Sequence, residues 1–86
     1  MFTHPLKSPV THGEKTYETL TFREAEAGDF MLGDSFPGEM SRNIAMLASM
    51  SDMPLAAFKK IKARDLSKIL DGTKALLGNE ETTTGE

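Results

Sequence analysis

Leu20-Thr21-Phe22-Arg23-Glu24-Ala25-Glu26-Ala27-Gly28-Asp29 divides this 86-residue chain into a strand-forming half and a helix-forming half. Side chains alternate along a strand, so Leu20 and Phe22 share one face of an extended segment, with Thr19, Thr21 and Arg23 on the other. The alternation stops at Glu24, and Asp29 is placed to cap a helix that follows. The stretch reads as a strand running into a helix start, and the fold class it sets is α+β.

Upstream of this junction, Phe2, His4 and Leu6 alternate with Thr3, Pro5 and Lys7, which permits a first strand. Pro5 has no ladder donor, so that strand belongs at an edge or is irregular. Ser8-Pro9 marks a break or bulge, and Thr11-His12-Gly13-Glu14 is turn chemistry with Gly13 free to take positive φ. Residues 15–23, rich in Thr, Tyr and Phe, are the strongest strand. A hairpin over about residues 2–23 follows. Because a lone hairpin is barely stable in water, its Leu20/Phe22 face is expected to pack on helices.

Downstream, Phe30, Met31 and Leu32 fit a helical turn that Gly33 and Pro37-Gly38 interrupt, giving one short helix and then a loop. Pro37 suits the first turn of the next helix, along which Met40, Ile44, Leu47 and Ala48 keep helical spacing to an end near Ser51. Asp52-Met53-Pro54 then opens a third helix, with Asp52 as its cap, Pro54 in its first turn and Leu55, Phe58 and Ile61 as its apolar stripe. A break near Lys62 or Ala63 separates it from a last helix whose register runs Leu66, Ile69, Leu70, Thr73, Leu76, Leu77. Asp65 lies in the first turn of that helix, where the dipole favours negative charge. Gly72 lies within it, and Gly78 is a natural stop. The expected architecture is a hairpin packed on three to four short helices (residues 29–77) in one domain over residues 1–78. An acidic, threonine-rich tail over residues 79–86 has nothing to bury and is expected to be disordered.

With 38% hydrophobic and 7% aromatic residues, the core is expected to be modest. A net charge of −3 and a pI near 5.3 do not suit a nucleic-acid binder. The absence of cysteine excludes disulfides and thiolate metal sites. No signal peptide and no membrane-crossing apolar run of roughly 20 residues is visible, so a soluble intracellular protein is expected.

Catalytic constellations are missing as well. His4 and His12 have no cysteine or aspartate-rich partner set in the sequence, and structural or solvent-facing roles are expected for both. Glu24, Glu26 and Asp29 form a small acidic cluster without a nucleophile or phosphate loop, which fits a solvated junction with a capping aspartate. No catalytic residue, metal ligand or cofactor is therefore expected. Lys59, Lys60, Lys62 and Arg64 follow residues 44–51 in a pattern that superficially suggests a helix-turn-helix, with Lys59 and Lys60 against phosphates. Phe58 and Ile61 look core-directed, however, and no Asn, Gln or Arg trio projects for base reading. A small DNA-binding regulator, or another interaction module, is the alternative reading. Met31, Met40, Met46, Met50 and Met53 serve either as gap-filling core or as an adaptable apolar surface for a partner.

Four sets of residues recur together in a known order. They are Gly13-Glu14 at the hairpin turn; Leu20, Phe22, Arg23, Glu24, Gly28 and Asp29 at the junction; Ile44-Ala45-Met46-Leu47-Ala48 with Met53-Pro54; and Asp65-Leu66 opening the last helix. In this ordered set, over roughly residues 3–77, the chain resembles the phage tail assembly chaperone family of Mu-like and related tailed phages and prophages. It departs from the family pattern at Ala25, where a proline is usual, and in the looser region around Gly33 and Pro37-Gly38. The resemblance implies a non-catalytic assembly factor, without cofactor, acting in the host cytoplasm and absent from the finished tail. It implies binding to the tape measure protein, keeping that long helical polypeptide soluble while tail tube subunits polymerise around it. It also implies a longer form made by programmed frameshifting, to which the tail from Asn79 would connect. The expected partner groove comprises Met46, Met50, Met53, Leu55 and Phe58, with Lys59, Lys60 and Lys62 as a polar rim. Leu20, Phe22, Arg23, Glu24, Gly28, Asp29, Pro54 and Asp65 are expected to be structural.

Overall fold

In the computed structural model, which describes residues 1–77, Gly13 takes φ +64 and closes a tight turn between two antiparallel strands. The strands are β1 (Phe2–His12) and β2 (Lys15–Phe22), followed by α1 (Ala27–Gly33), α2 (Glu39–Met50), α3 (Leu55–Phe58) and α4 (Ala63–Gly72). The α+β class and the hairpin-then-helices order are as the sequence predicts.

The register runs from Phe2 opposite Phe22 to Pro5 opposite Thr19, and resumes from Val10 opposite Tyr17 to His12 opposite Lys15. Between these blocks, Leu6, Lys7, Ser8 and Pro9 stand against Glu18 alone, so the irregularity expected at Ser8-Pro9 is present. The bulge turns two backbone donors off the ladder, and Asp65 takes both: the N–H groups of Lys7 and Ser8 donate to its carboxylate at 2.9 and 3.1 Å. α3 and α4 pack along β1, whereas among the described residues β2 has no second strand beside it. The core lies between the Leu20/Phe22 face and the helices. Phe22 and Phe58 meet edge to face at 6.4 Å, with Leu47, Met50 and Ile69 buried in the same cluster.

Several boundaries differ from expectation for local reasons. α1 begins at Ala27 with Glu26 as its N-cap, so Asp29 is not the cap. It is the third helical residue and reaches back to accept the Glu26 N–H at 2.7 Å, forming a capping box. α2 is capped by Gly38 at φ +88, and Pro37 precedes it rather than lying in its first turn. Asp52 closes α2 instead of opening α3. It adopts φ +56, its N–H donates to Ser49 O at 3.2 Å, and the Met53 N–H donates to Ala48 O at 2.9 Å. Those paired bonds are the Schellman termination, with aspartate in the left-handed position that glycine usually fills. α3 consequently starts only after Pro54, which is its N-cap and not a first-turn residue, and it is four residues long.

The break before α4 falls at Lys62, as expected, and Asp65 occupies its first turn. The helix stops at Gly72 rather than continuing to Leu77. There Thr73 turns its hydroxyl onto Ile69 O at 2.7 Å, and residues 73–77 form turns in which the Leu77 N–H reaches Thr73 O at 3.0 Å. Gly72 is required by close approach: a Cβ there would lie 2.2 Å from Phe2 Cζ. Gly78 and the tail expected over residues 79–86 lie outside the described residues. Among the described residues, no helix is long and apolar enough to cross a membrane.

Candidate docking surface

The Leu20-to-Asp29 junction forms a charged clasp. Arg23, leaving β2, donates both guanidinium nitrogens to Asp29, at 2.8 and 3.1 Å, and also donates to Ser49 O at 3.3 Å and Glu24 O at 3.2 Å. The Ser49 hydroxyl donates to the same aspartate, and the Arg23 backbone N–H reaches Met50 O at 3.3 Å. Three elements, β2, α1 and α2, are thus fastened at one buried carboxylate. Bidentate arginine pairs of this kind fix direction as well as distance. The Arg23 guanidinium holds the Asp29 carboxyl far below the usual aspartate range, helped by the Glu26 N–H and Ser49, and Asp29 in turn raises the arginine.

A second buried acid fastens the other side. Burial disfavours ionised Asp65, but the Lys7 N–H, His4 and the Ser8 N–H together outweigh it, and its pKa falls. His4 Nε2 lies 3.1 Å from Asp65 Oδ1, so this histidine is a buried structural residue. Leu20 and Phe22 are core, Pro54 caps α3, Glu24 and Gly28 are exposed, and Asp29 and Asp65 are clasps. Among the described residues, no three His, Asp or Glu side chains gather as metal ligands.

The expected partner groove is not open. Met46, Met50, Met53 and Phe58 are each no more than 4% exposed. α1 lies against α2, the hairpin covers the core face, and the Schellman turn folds Met53 back onto the helix it ends. Leu55 is half-buried, and Lys59, Lys60 and Lys62 are exposed, with Lys60 Nζ donating to Thr11 O at 3.1 Å. Leu55 and Lys59 do line a small cleft of about 150 Å³ with Phe36, Ser41 and Ile44. With α3 only one turn long, residues 44–64 contain no full-length recognition helix.

Exposed apolar surface is found instead on α1, which packs the reverse of an ordinary amphipathic helix. Its buried residues are Asp29 and Gly33, one turn apart, whereas Phe30, Met31 and Leu32 face outward at 48, 74 and 44% exposure. Gly33 lets the helix sit directly on α2, where a Cβ would fall 2.8 Å from Arg42 Cγ and 2.9 Å from Met46 Cγ. Met40, at 54% exposure, adds to the apolar surface from the first turn of α2. A cleft of about 240 Å³ lined by Phe30, Glu39, Arg42, Asn43, Met46 and Leu77 lies alongside. Together these four residues expose roughly 400 Å² of mostly apolar area. The sequence offered Met31 and Met40 as either core or partner surface but assigned no facing to Phe30, Met31 and Leu32, and it placed the groove at residues 46–58 instead. The available signal was the Asp29/Gly33 spacing, which puts a charge and a hydrogen on one face.

No curated protein and no solved structure matched the chain. The profile of the family described as phage tail assembly chaperone proteins, E, or 41 or 14, matches residues 3–78. With that match covering most of its length, and with the hairpin, the Arg23–Asp29 junction and the helices in the expected order, the chain belongs to the phage tail assembly chaperone family.

Proposed function

We propose that this protein binds the tape measure protein during tail assembly, holding a long, apolar, helical client in solution until tail tube subunits surround it. The observation that carries the reading is the inverted packing of α1, which spends an arginine clasp and a glycine contact to keep Phe30, Met31 and Leu32 outside. An amphipathic client helix recognised through its apolar face needs such a surface, and flexible methionines at positions 31 and 40 suit a client whose sequence varies along its length. Leu55 and Lys59 extend the proposed surface through their cleft, with Lys60 and Lys62 beside it as a polar rim. Met46, Met50, Met53 and Phe58 enter the proposal as the packed floor beneath the docking residues. The role is non-catalytic and belongs to the host cytoplasm, and the protein leaves before the tail is complete. Recruitment of tail tube protein through a frameshifted longer form is part of the same proposal and rests on family membership.

Co-expression with the tape measure protein tests this reading. The unmodified chain should keep the client in the soluble fraction and co-purify with it. A variant with Phe30, Met31 and Leu32 all replaced by serine should do neither while still unfolding cooperatively on heating. A folded variant that still solubilises the client overturns the assignment of the surface.

A further inference from the structure

The cleft between α2 and α3 has the lining of a side-chain receptor. Ile44 and Leu55 are half-buried, pack on the core and form its floor. Phe36 walls it from the loop after α1, where the Phe36 N–H donates to Gly33 O at 3.0 Å. At the rim, exposed Ser41 offers a hydroxyl and exposed Lys59 an ammonium group. Its volume of about 150 Å³ matches that of an engineered Leu/Ile/Phe-lined cavity that holds benzene, so it has room for one leucine- or phenylalanine-sized group. Two spacings give the cleft its setting. Met40 and Ile44 are four residues apart on α2 and so are neighbours, about 5–6 Å between Cβ atoms. Met40 belongs to the exposed apolar face, so a client helix lying on that face passes within one turn of the cleft. Leu55 and Lys59 are also four apart, joined by the Lys59 N–H to Leu55 O bond at 3.0 Å, which sets a cation one turn from the apolar floor. Among the described residues no acid lines the cleft, and neither Lys59 nor nearby Lys62 has a carboxylate partner.

We infer that the cleft between α2 and α3 is an anchor site for one apolar side chain of a client helix, with an aspartate or glutamate one helical turn away on the client pairing with Lys59. On a helix, residues three and four apart lie about 5–6 Å from each other, the same separation as Leu55 and Lys59. Anchor and acid on the client therefore match floor and cation on this chain. The apolar group supplies affinity through burial, whereas the acid supplies selection. An exposed lysine–carboxylate pair contributes little by itself, but a lysine or arginine in place of the acid is repelled. This site rests on the tape measure protein as client and specifies which of its segments engage: those carrying a leucine, methionine or phenylalanine with an acid one turn away.

Overlapping peptides of about 20 residues tiling the tape measure protein, each long enough for several helical turns, are probed with the labelled full chain. The tightest binders should carry an apolar residue with Asp or Glu three or four positions away, and changing that acid to lysine should weaken binding about fivefold in fluorescence anisotropy. Lys59→Glu should reverse the preference, so that the lysine peptide binds the tighter of the two. Ser41→Trp should fill the cleft and weaken both peptides. Lys68→Glu on α4 makes the same change of charge away from the cleft and should keep the preference for the acid. All three positions are exposed, and thermal melts check that the variants fold. Tape measure peptides that bind without an acid preference overturn the anchor site and leave the client standing. So does a Lys59→Glu chain that ranks the pair as the unmodified chain does, a Ser41→Trp chain that binds undiminished, or a Lys68→Glu chain that shifts the ranking as far as Lys59→Glu. If no tape measure peptide binds the unmodified chain, the client and the anchor site fall together.

Discussion

Replacing Phe30, Met31 and Leu32 with serine removes the outward apolar face of α1 while leaving Asp29 and Gly33, its inward contacts, untouched. At 48, 74 and 44% exposure these side chains offer roughly 300 Å² to a partner. Fully covered, that area corresponds to about 7 kcal/mol at 25 cal/mol per Å². Association consumes part of this in lost freedom and imperfect cover, and a net loss of about 3 kcal/mol, roughly a hundredfold in Kd, is expected. The cost to folding is smaller, about 1–2 kcal/mol in sum, because about half of Phe30 and Leu32 and most of Met31 already face water. Replacing Met50 with serine does the reverse: at 1% exposure it should cost about 2–5 kcal/mol of stability through the lost packing. The assay is titration calorimetry with a soluble tape measure fragment, beside thermal melts of both variants. A triple variant that binds with unchanged affinity, or that unfolds as readily as the Met50 variant, refutes the claim that α1 faces outward to dock.

Three further outcomes concern stability. Gly72→Ala should cost about 1–3 kcal/mol in chemical denaturation, because its Cβ would overlap the Phe2 ring and force strand and helix apart. Asp52→Gly should stabilise the fold by about 0.5–1 kcal/mol, since φ +56 strains aspartate in the Schellman turn and glycine adopts it freely. Acid should unfold the protein from below about pH 3.9, the ordinary aspartate value. Asp29 and Asp65 both have depressed pKa values in the fold, so their contribution is complete above that value and is lost as the pH falls, when the unfolded chain takes up protons first. Asp65→Asn should flatten the acid limb of a melting-temperature against pH curve, and an unchanged slope would remove Asp65 from this account.

The sequence made the hairpin legible because period-two alternation and the Gly13 turn agree, and Leu20 and Phe22 do face the core. The Lys62 break and the first-turn position of Asp65 were legible for the same reason: local chemistry and the tertiary structure point the same way. The errors arose where a residue had two local uses. Asp52 can cap a following helix or end a preceding one, and only the Ser49 and Ala48 carbonyls decide between them. Asp29 can be an N-cap or the third residue of a capping box, and the choice turns on whether Glu26 already has cap geometry. The methionines could not be sorted by type at all. Met46, Met50 and Met53 are core and Met31 and Met40 are surface, a division set by what packs against α2.

The orientation of α1 shows why that division runs against composition. A seven-residue helix has too few turns to be directed by an apolar stripe, and its facing is decided by whatever grips it most specifically. Here the grip is polar and concentrated on one residue: the capping box, the bidentate Arg23 pair and the Ser49 hydroxyl all converge on Asp29. One turn later, Gly33 lets the helix pack so closely on α2 that a Cβ there would lie within about 3 Å of the Met46 and Arg42 side chains, which leaves no room for Phe30 or Leu32 to turn inward. A helix held by its acid and its glycine must show its hydrophobes. The Leu20-to-Asp29 junction is therefore the device that turns Phe30, Met31 and Leu32 outward without adding a side chain to the face they form.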